Sequence, residues 1–368
     1  MRSTRSFLGA LASALALLAC DVDVRLGART LDGAAADGGL DADASAVADS
    51  ASDGGCVDVL SDPQNCGRCG HSCQGRACVG GACATVVLAQ SLPRPDWLAV
   101  DATHVYFTCD GKSGQVGQEN EIDKVDIAGT TVTTLRKEAA IPAGIAVDAT
   151  NVYWTQLSGT SSSVLKIDKL GTPASWTKIA DAPLSDARGL ALGGNELYWA
   201  GNTVVRRALT TDNTTFGTDW ATGLVGAQGV ALSPTRLYVT SGAPLNWTVV
   251  ERSSKSVVFQ GNLAGTAFDV FVEGASAFVV TGVAAYMTDD GGLVTAILDQ
   301  GFTGGVGIVA DKERIYWSTL GDIRSRRRDL QGSVETVLKI TGAAHLALDA
   351  TWLYFTLPLS GEVRKIAR

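Results

Sequence analysis

The chain has 368 residues, 46% hydrophobic and 18% charged, with 42 glycines, 9 prolines and a formal charge of -8. That much apolar material supports a large core and excludes general disorder. No apolar run reaches the ~18–20 residues of a membrane span, which excludes a multi-pass membrane protein. The acidic balance excludes a nucleic-acid partner, which needs a basic face.

Residues 1–19 read as a signal peptide. Arg2 and Arg5 precede an apolar stretch from Phe7 to Ala19, too short to cross a bilayer. The run Leu17-Leu18-Ala19-Cys20 resembles a bacterial lipobox, which implies lipidation of Cys20 and a mature chain that begins there. An ordinary signal peptide cut near Ala19 is the alternative. Asp21 resembles the inner-membrane retention signal of enteric bacteria and leaves the choice of membrane open.

With Cys20, residues 21–55 form the lipidated start and a linker. Eight aspartates against Arg25 and Arg29 give it a local charge of -6, and it has no aromatic residue. Nothing offsets the entropy of ordering it, so it is expected to be a disordered tether. A calcium site is the sharper alternative, but EF-hand spacing is absent.

Residues 56–83 hold Cys56, Cys66, Cys69, Cys73, Cys78 and Cys83. Six cysteines in a segment too small for its own core, after an export signal, predict three disulfides. Their pairing is open, because six cysteines allow fifteen connectivities. Zinc with His71 and a redox CxxC are the competing readings. The Asn65-Cys66-Gly67, Cys69-Gly70 and Cys73 pattern resembles segments of exported myxobacterial proteins.

After residue 84 a motif recurs seven times: an apolar-Ala-apolar-Asp run, a short turn, then an apolar-Tyr-aromatic-Thr run. It spans 98–108, 145–155, 190–200, 230–240, 270–280, 308–318 and 346–356. Its Asp-equivalent positions are Asp101, Asp148, Gly193, Ser233, Glu273, Asp311 and Asp349. They lie 47, 45, 40, 40, 38 and 38 residues apart. A period near 40 with strand-turn-strand content predicts an all-β, seven-bladed β-propeller of four-stranded blades over 84–368. The chain reaches only a third strand in its last repeat, while 84–90 supplies a spare one. Pairing the two closes the ring as a "velcro" seam.

The motif resembles those of the YWTD and NHL propeller families, most closely at Val152-Tyr153-Trp154-Thr155 and Ile315-Tyr316-Trp317-Ser318. The final Asp of YWTD is replaced here by Cys109, Gln156, Gly201, Ser241, Thr281, Thr319 and Leu357, so its inter-blade bonding is not assumed. The resemblance implies the fold; relatives include receptor modules, assembly factors and a few enzymes, so it fixes no activity.

Candidate site residues come from the inner-strand starts. Four residues before the Asp position stand Gly144, Gly189, Gly229 and Gly307, with Trp97, Asp269 and His345 as exceptions. The preceding positions add Asp96, Arg188 and Gln228. These six non-glycine residues form a candidate small-ligand or peptide site at the channel mouth; the plainer reading is that Trp97 and His345 fill space left by missing glycines. No metal ligand set, cofactor or catalytic residue is assigned. Asp96 and Asp269 alone make a weak case for the alternative, a metal-dependent lactonase or hydrolase. Arg324, Arg326, Arg327 and Arg328 read as a solvated strand or as a contact for an acidic polymer or lipid headgroup. Cys109 is expected as a free buried thiol, with a bond to the cysteine module as the alternative. The chain reads as a lipid-anchored envelope protein, monomeric, whose propeller is a binding scaffold for a protein or peptide. Propeller lipoproteins of outer-membrane assembly are the analogy.

Overall fold

The computed structural model describes residues 56, 58–111, 119–158, 161–182, 188–213, 217–242 and 244–368. The signal peptide, Cys20 and the tether lie outside them. Among the described residues there is no helix, and so none long and apolar enough to cross a membrane.

Seven four-stranded antiparallel sheets follow one another along the chain. Blade one runs Pro95–Val100, His104–Asp110, Asn120–Asp126 and Val132–Glu138 from the channel outward. The first strands of blades two to seven are Ile141–Val147, Leu190–Gly193, Val230–Leu232, Ala267–Glu273, Ile308–Ala310 and Leu346–Leu348. In blades one to six the outer pair of strands carries a register shift, which adds local twist. Blade seven takes its outer strand from the other end of the chain. Val86–Ala89 pairs with Glu362–Ala367 through Val86↔Lys365, Val87↔Arg364 and Ala89↔Val363. The expected seam is present, and it covers an edge that would otherwise expose bare backbone donors and acceptors.

The repeat explains why the blades stack. Successive side chains on a strand face opposite ways, so each blade's second strand serves two interfaces. Tyr106 packs with Ile145, Val152 and Trp154 of blade two, and Tyr153 packs with Leu190, Leu197 and Trp199 of blade three. The order repeats around the ring until Tyr354 of blade seven meets Leu98, Val105 and Phe107 of blade one. The seven apolar clusters are thus the seven blade junctions. These aromatic side chains are almost wholly buried, which stabilises each junction by about 1.5–3 kcal/mol per large side chain.

The turn aspartates hold the short turns between first and second strands. Asp101 Oδ1 accepts the backbone N–H of Thr103 and His104 at 2.8 Å, and Asp148 Oδ1 does the same for Thr150 and Asn151. Their second oxygen takes the motif tyrosine, Tyr106 at 2.9 Å and Tyr153 at 2.6 Å.

Cys56–Cys69, Cys66–Cys78 and Cys73–Cys83 are disulfide-bonded, so the predicted three bridges exist and their pairing is now defined. No thiol of the six remains for zinc or redox exchange. The segment's described residues belong to the same compact unit as the propeller. Its buried half-cystines share an apolar cluster with Tyr316, Leu353 and Ala367 of blades six and seven. Cys109 is a free, buried thiol.

Candidate functional site

The inner strands enclose a channel of about 400 Å³. Every inner strand places aliphatic side chains along it, among them Leu98, Ile145, Leu190, Val230, Val270, Ile308 and Leu346. At the end where the inner strands begin, four glycines let the blades converge. A Cβ on Gly144 would lie 2.2 Å from the Arg188 carbonyl oxygen, and one on Gly307 would lie 2.6 Å from that of Ala344.

Trp97, Asp269 and His345 break this pattern, and all three line the channel. The Trp97 and His345 rings, from blades one and seven, stack with centroids 3.9 Å apart at 24°. His345 Nδ1 lies 3.1 Å from Asp96 Oδ1. Burial works against both charged forms, but the pairing outweighs it. Asp96 is held below the ordinary carboxylate range, and His345 is raised above the ordinary imidazole value by Asp96, with Asp269 adding to the rise.

Asp269 plays a different part. Its Oδ1 accepts the backbone N–H of Val270 at 2.9 Å, and its Oδ2 accepts that of Ile308 at 3.1 Å, which ties blade five to blade six. Burial raises its pKa, and His345 offsets this only in part. Arg188 and Gln228 do not line the channel. Their backbone carbonyls accept Gly144 N–H at 2.8 Å and Gly189 N–H at 2.7 Å across blade junctions. The Arg188 side chain is exposed and acts on Asp96 only through its charge.

The candidate set therefore divides into a Trp97–His345–Asp96 cluster, an Asp269 clamp, and two rim residues whose main contribution is backbone. Among the described residues the one cluster of three or more close metal-competent side chains is Cys66, Cys73 and Cys78, all in disulfides. Asp96, Asp269 and His345 do not converge in that way.

Several contributors escaped the sequence reading. Asp110 stands beside Arg94, with Arg94 Nε 3.4 Å from Oδ1, and burial raises its pKa to about 7, Arg94 offsetting in part. The hydroxyls that end the motif supply inter-blade bonding in place of the absent YWTD aspartate. Thr155 Oγ1 donates to Arg188 O at 3.0 Å, Thr240 Oγ1 to Phe268 O at 3.2 Å, Ser318 Oγ to Ala344 O at 2.8 Å, and Thr356 Oγ1 to Asp96 O at 2.7 Å. The recurring Thr or Ser was visible in every repeat that has it; its acceptor on the next blade was not.

The basic residues of the third strands also read differently in three dimensions. Lys124 Nζ reaches Lys169 O at 2.7 Å, Lys166 Nζ reaches Thr210 O at 2.7 Å, and Lys365 Nζ reaches Ile127 O at 2.6 Å, each on the next blade. Arg324 pairs with Asp299 and Asp322, Arg326 binds Leu298 O, Arg327 pairs with Asp329, and Arg328 binds Asp311 O and Glu273 O. Arg324, Arg326 and Arg328 are engaged with neighbouring strands and loops, while Arg327 stays solvent-exposed in a surface pair with Asp329, so none of them forms a free cationic patch.

The fold and the bridged N-terminal segment define a class: a seven-bladed β-propeller capped by a disulfide-rich module. The profile of the stigma-specific STIG1-like protein family matches residues 40–91. No curated protein matches the chain. Among solved structures, the WD40 propeller domain of Doa1 aligns with TM-score 0.61 at 10% identity, covering 77% of this chain and 97% of that one. BamB from Moraxella catarrhalis aligns with TM-score 0.53 at 12% identity, covering 80% and 88%. The computationally designed protein Ika8 gives 0.56 at 11%, covering 77% and 99%. At such identities these likenesses show the fold alone.

Proposed function

We propose that this chain is an exported, lipid-anchored propeller of the bacterial cell envelope that works as a non-catalytic binding scaffold for a protein or peptide. The observation that carries the reading is the face around the channel mouth. The loops joining second and third strands open on that face, and in four successive blades they present exposed apolar side chains: Leu245, Val283, Leu320 and Leu359, the last 85% exposed. Consecutive apolar tips on one face of a rigid ring suit a partner surface. A BamB-like fold is compatible with such a role. The lipobox reading of Leu17–Cys20 and a three-disulfide module support an exported, oxidising setting.

Two measurements on one expression strain test this. Palmitate labelling is expected for the full chain and lost in Cys20→Ala. A photo-crosslinking residue at position 320 or 359 in intact envelopes is expected to give one adduct of defined mass. The same residue at Ala102, on the opposite face, is expected to give none. Unlabelled wild-type protein would overturn the anchor, and identical adducts from both faces would overturn the scaffold face.

A further inference from the structure

We propose that the central channel is a binding site for a small carboxylate with an apolar tail, the carboxylate meeting His345 Nε2 and the tail lying along the inner-strand side chains. This site is separate from the apolar loop tips and stands whether or not they dock a protein.

Three observations converge. The first is shape and polarity. A channel of about 400 Å³ falls within the range of small-ligand cavities, and aliphatic side chains from every inner strand line it beside accessible polar atoms. An apolar body gains by leaving water for such a wall.

The second is the orientation of the single imidazole. His345 is 8% exposed, stacked on Trp97 and lines the channel. Its Nδ1 is taken by Asp96, which leaves Nε2 as the ring's open nitrogen, a donor in the imidazolium form that Asp96 favours. A fixed aromatic partner and a fixed carboxylate hold that donor without help from a ligand, so little ordering is required on binding.

The third is the charge around it. Arg94 and Arg188 stand at the same mouth and act electrostatically on Asp96. Burial pushes Asp110 and Asp269 toward their neutral forms. His345 is held by Asp96 and Arg94 stands beside Asp110, while the exposed Arg188 guanidinium adds a further positive charge that favours an anion at the mouth. A cationic head group would meet the imidazolium and both guanidinium groups. A neutral one would forfeit the charge-assisted hydrogen bond to Nε2.

Decanoate is the probe, titrated calorimetrically into the full mature chain at pH 6.5, with decanol and decylamine alongside. Decanoate is expected to bind with one-to-one stoichiometry, decanol at least tenfold more weakly, and decylamine undetectably. His345→Phe keeps the ring stacked on Trp97 but removes the donor and is expected to weaken decanoate at least tenfold. The Asp96→Asn/His345→Phe pair does the same without leaving an unpaired carboxylate, should the single variant fold poorly. Ala231→Leu fills the channel away from His345 and is also expected to weaken binding at least tenfold. Decanoate that fails to bind, or that binds Ala231→Leu and the wild type alike, overturns the channel site. Equal binding of decylamine, or undiminished binding to both His345 variants, overturns the carboxylate assignment. None of these results touches the envelope scaffold reading, whose failure would show in lipid labelling and crosslinking instead.

Discussion

Asp123 lies on the third strand of blade one with no solvent exposure. Its Oδ2 accepts the Cys109 thiol at 3.5 Å, and its Oδ1 has no partner. Burial is the main reason its pKa rises from 3.8 to about 7. An unfolded chain releases this proton near pH 4, whereas the folded chain keeps it to about pH 7. Across that window the native state binds the extra proton, so stability falls as pH rises, by about 1.4 kcal/mol per pH unit. The full effect is about 4 kcal/mol between pH 4 and 7, and it stays constant above. Asp123→Asn keeps the shape and removes the titration. Urea unfolding of both proteins at pH 4.5, 6 and 8 isolates the residue, since every other group cancels in the difference. The asparagine variant is expected to gain on the wild type steadily up to pH 7, reaching a few kcal/mol. A difference that does not change from pH 4.5 to 8 would refute the reasoning, because it would mean that Asp123 ionises in the fold as it does in water.

Thr356→Val removes the hydroxyl that donates to Asp96 O across the ring's closing junction. It is expected to cost about 1–2 kcal/mol in the same urea assay, with Thr356→Ser near neutral. Cys109 is expected to resist a maleimide in the folded protein and react fully in urea, since its thiol is buried and its pKa raised well above the ordinary value. Modification at equal rates in both states would place that thiol at the surface.

The ring was legible because its stabilising pattern is local and repeated. An apolar inner strand, a turn aspartate and a Tyr-aromatic pair recur in register, and each has one physical reason to be there. The closing strand was legible by counting, as 84–90 was spare where the seventh repeat lacked a partner. The disulfide pairing was not, because spacing alone does not choose between Cys66–Cys78 and its alternatives. The role of Arg324 to Arg328 was hidden for another reason. A charged side chain on a strand looks the same in sequence whether it meets water or Asp299 of the preceding blade. At the mouth the exceptions to glycine were readable, and Trp97 and His345 do meet. That Asp269 spends both oxygens on backbone donors required the position of Ile308 N, which belongs to another blade.

The closing seam also sets a timetable. Arg364 donates to Thr85 across 279 positions of chain, and the strand 86–89 has no sheet partner until the strand 362–367 has arrived. The cysteine module, whose half-cystines pack on blades six and seven, waits for the same late segments. Its short-range disulfides can form within 10–13 residues of chain, long before its apolar side is covered. The cysteine module is thus stapled early and buried last. In the interval, oxidation rather than packing holds its shape, and a chain cut short within the final strand would leave both the seam strand and the module without their docking surface.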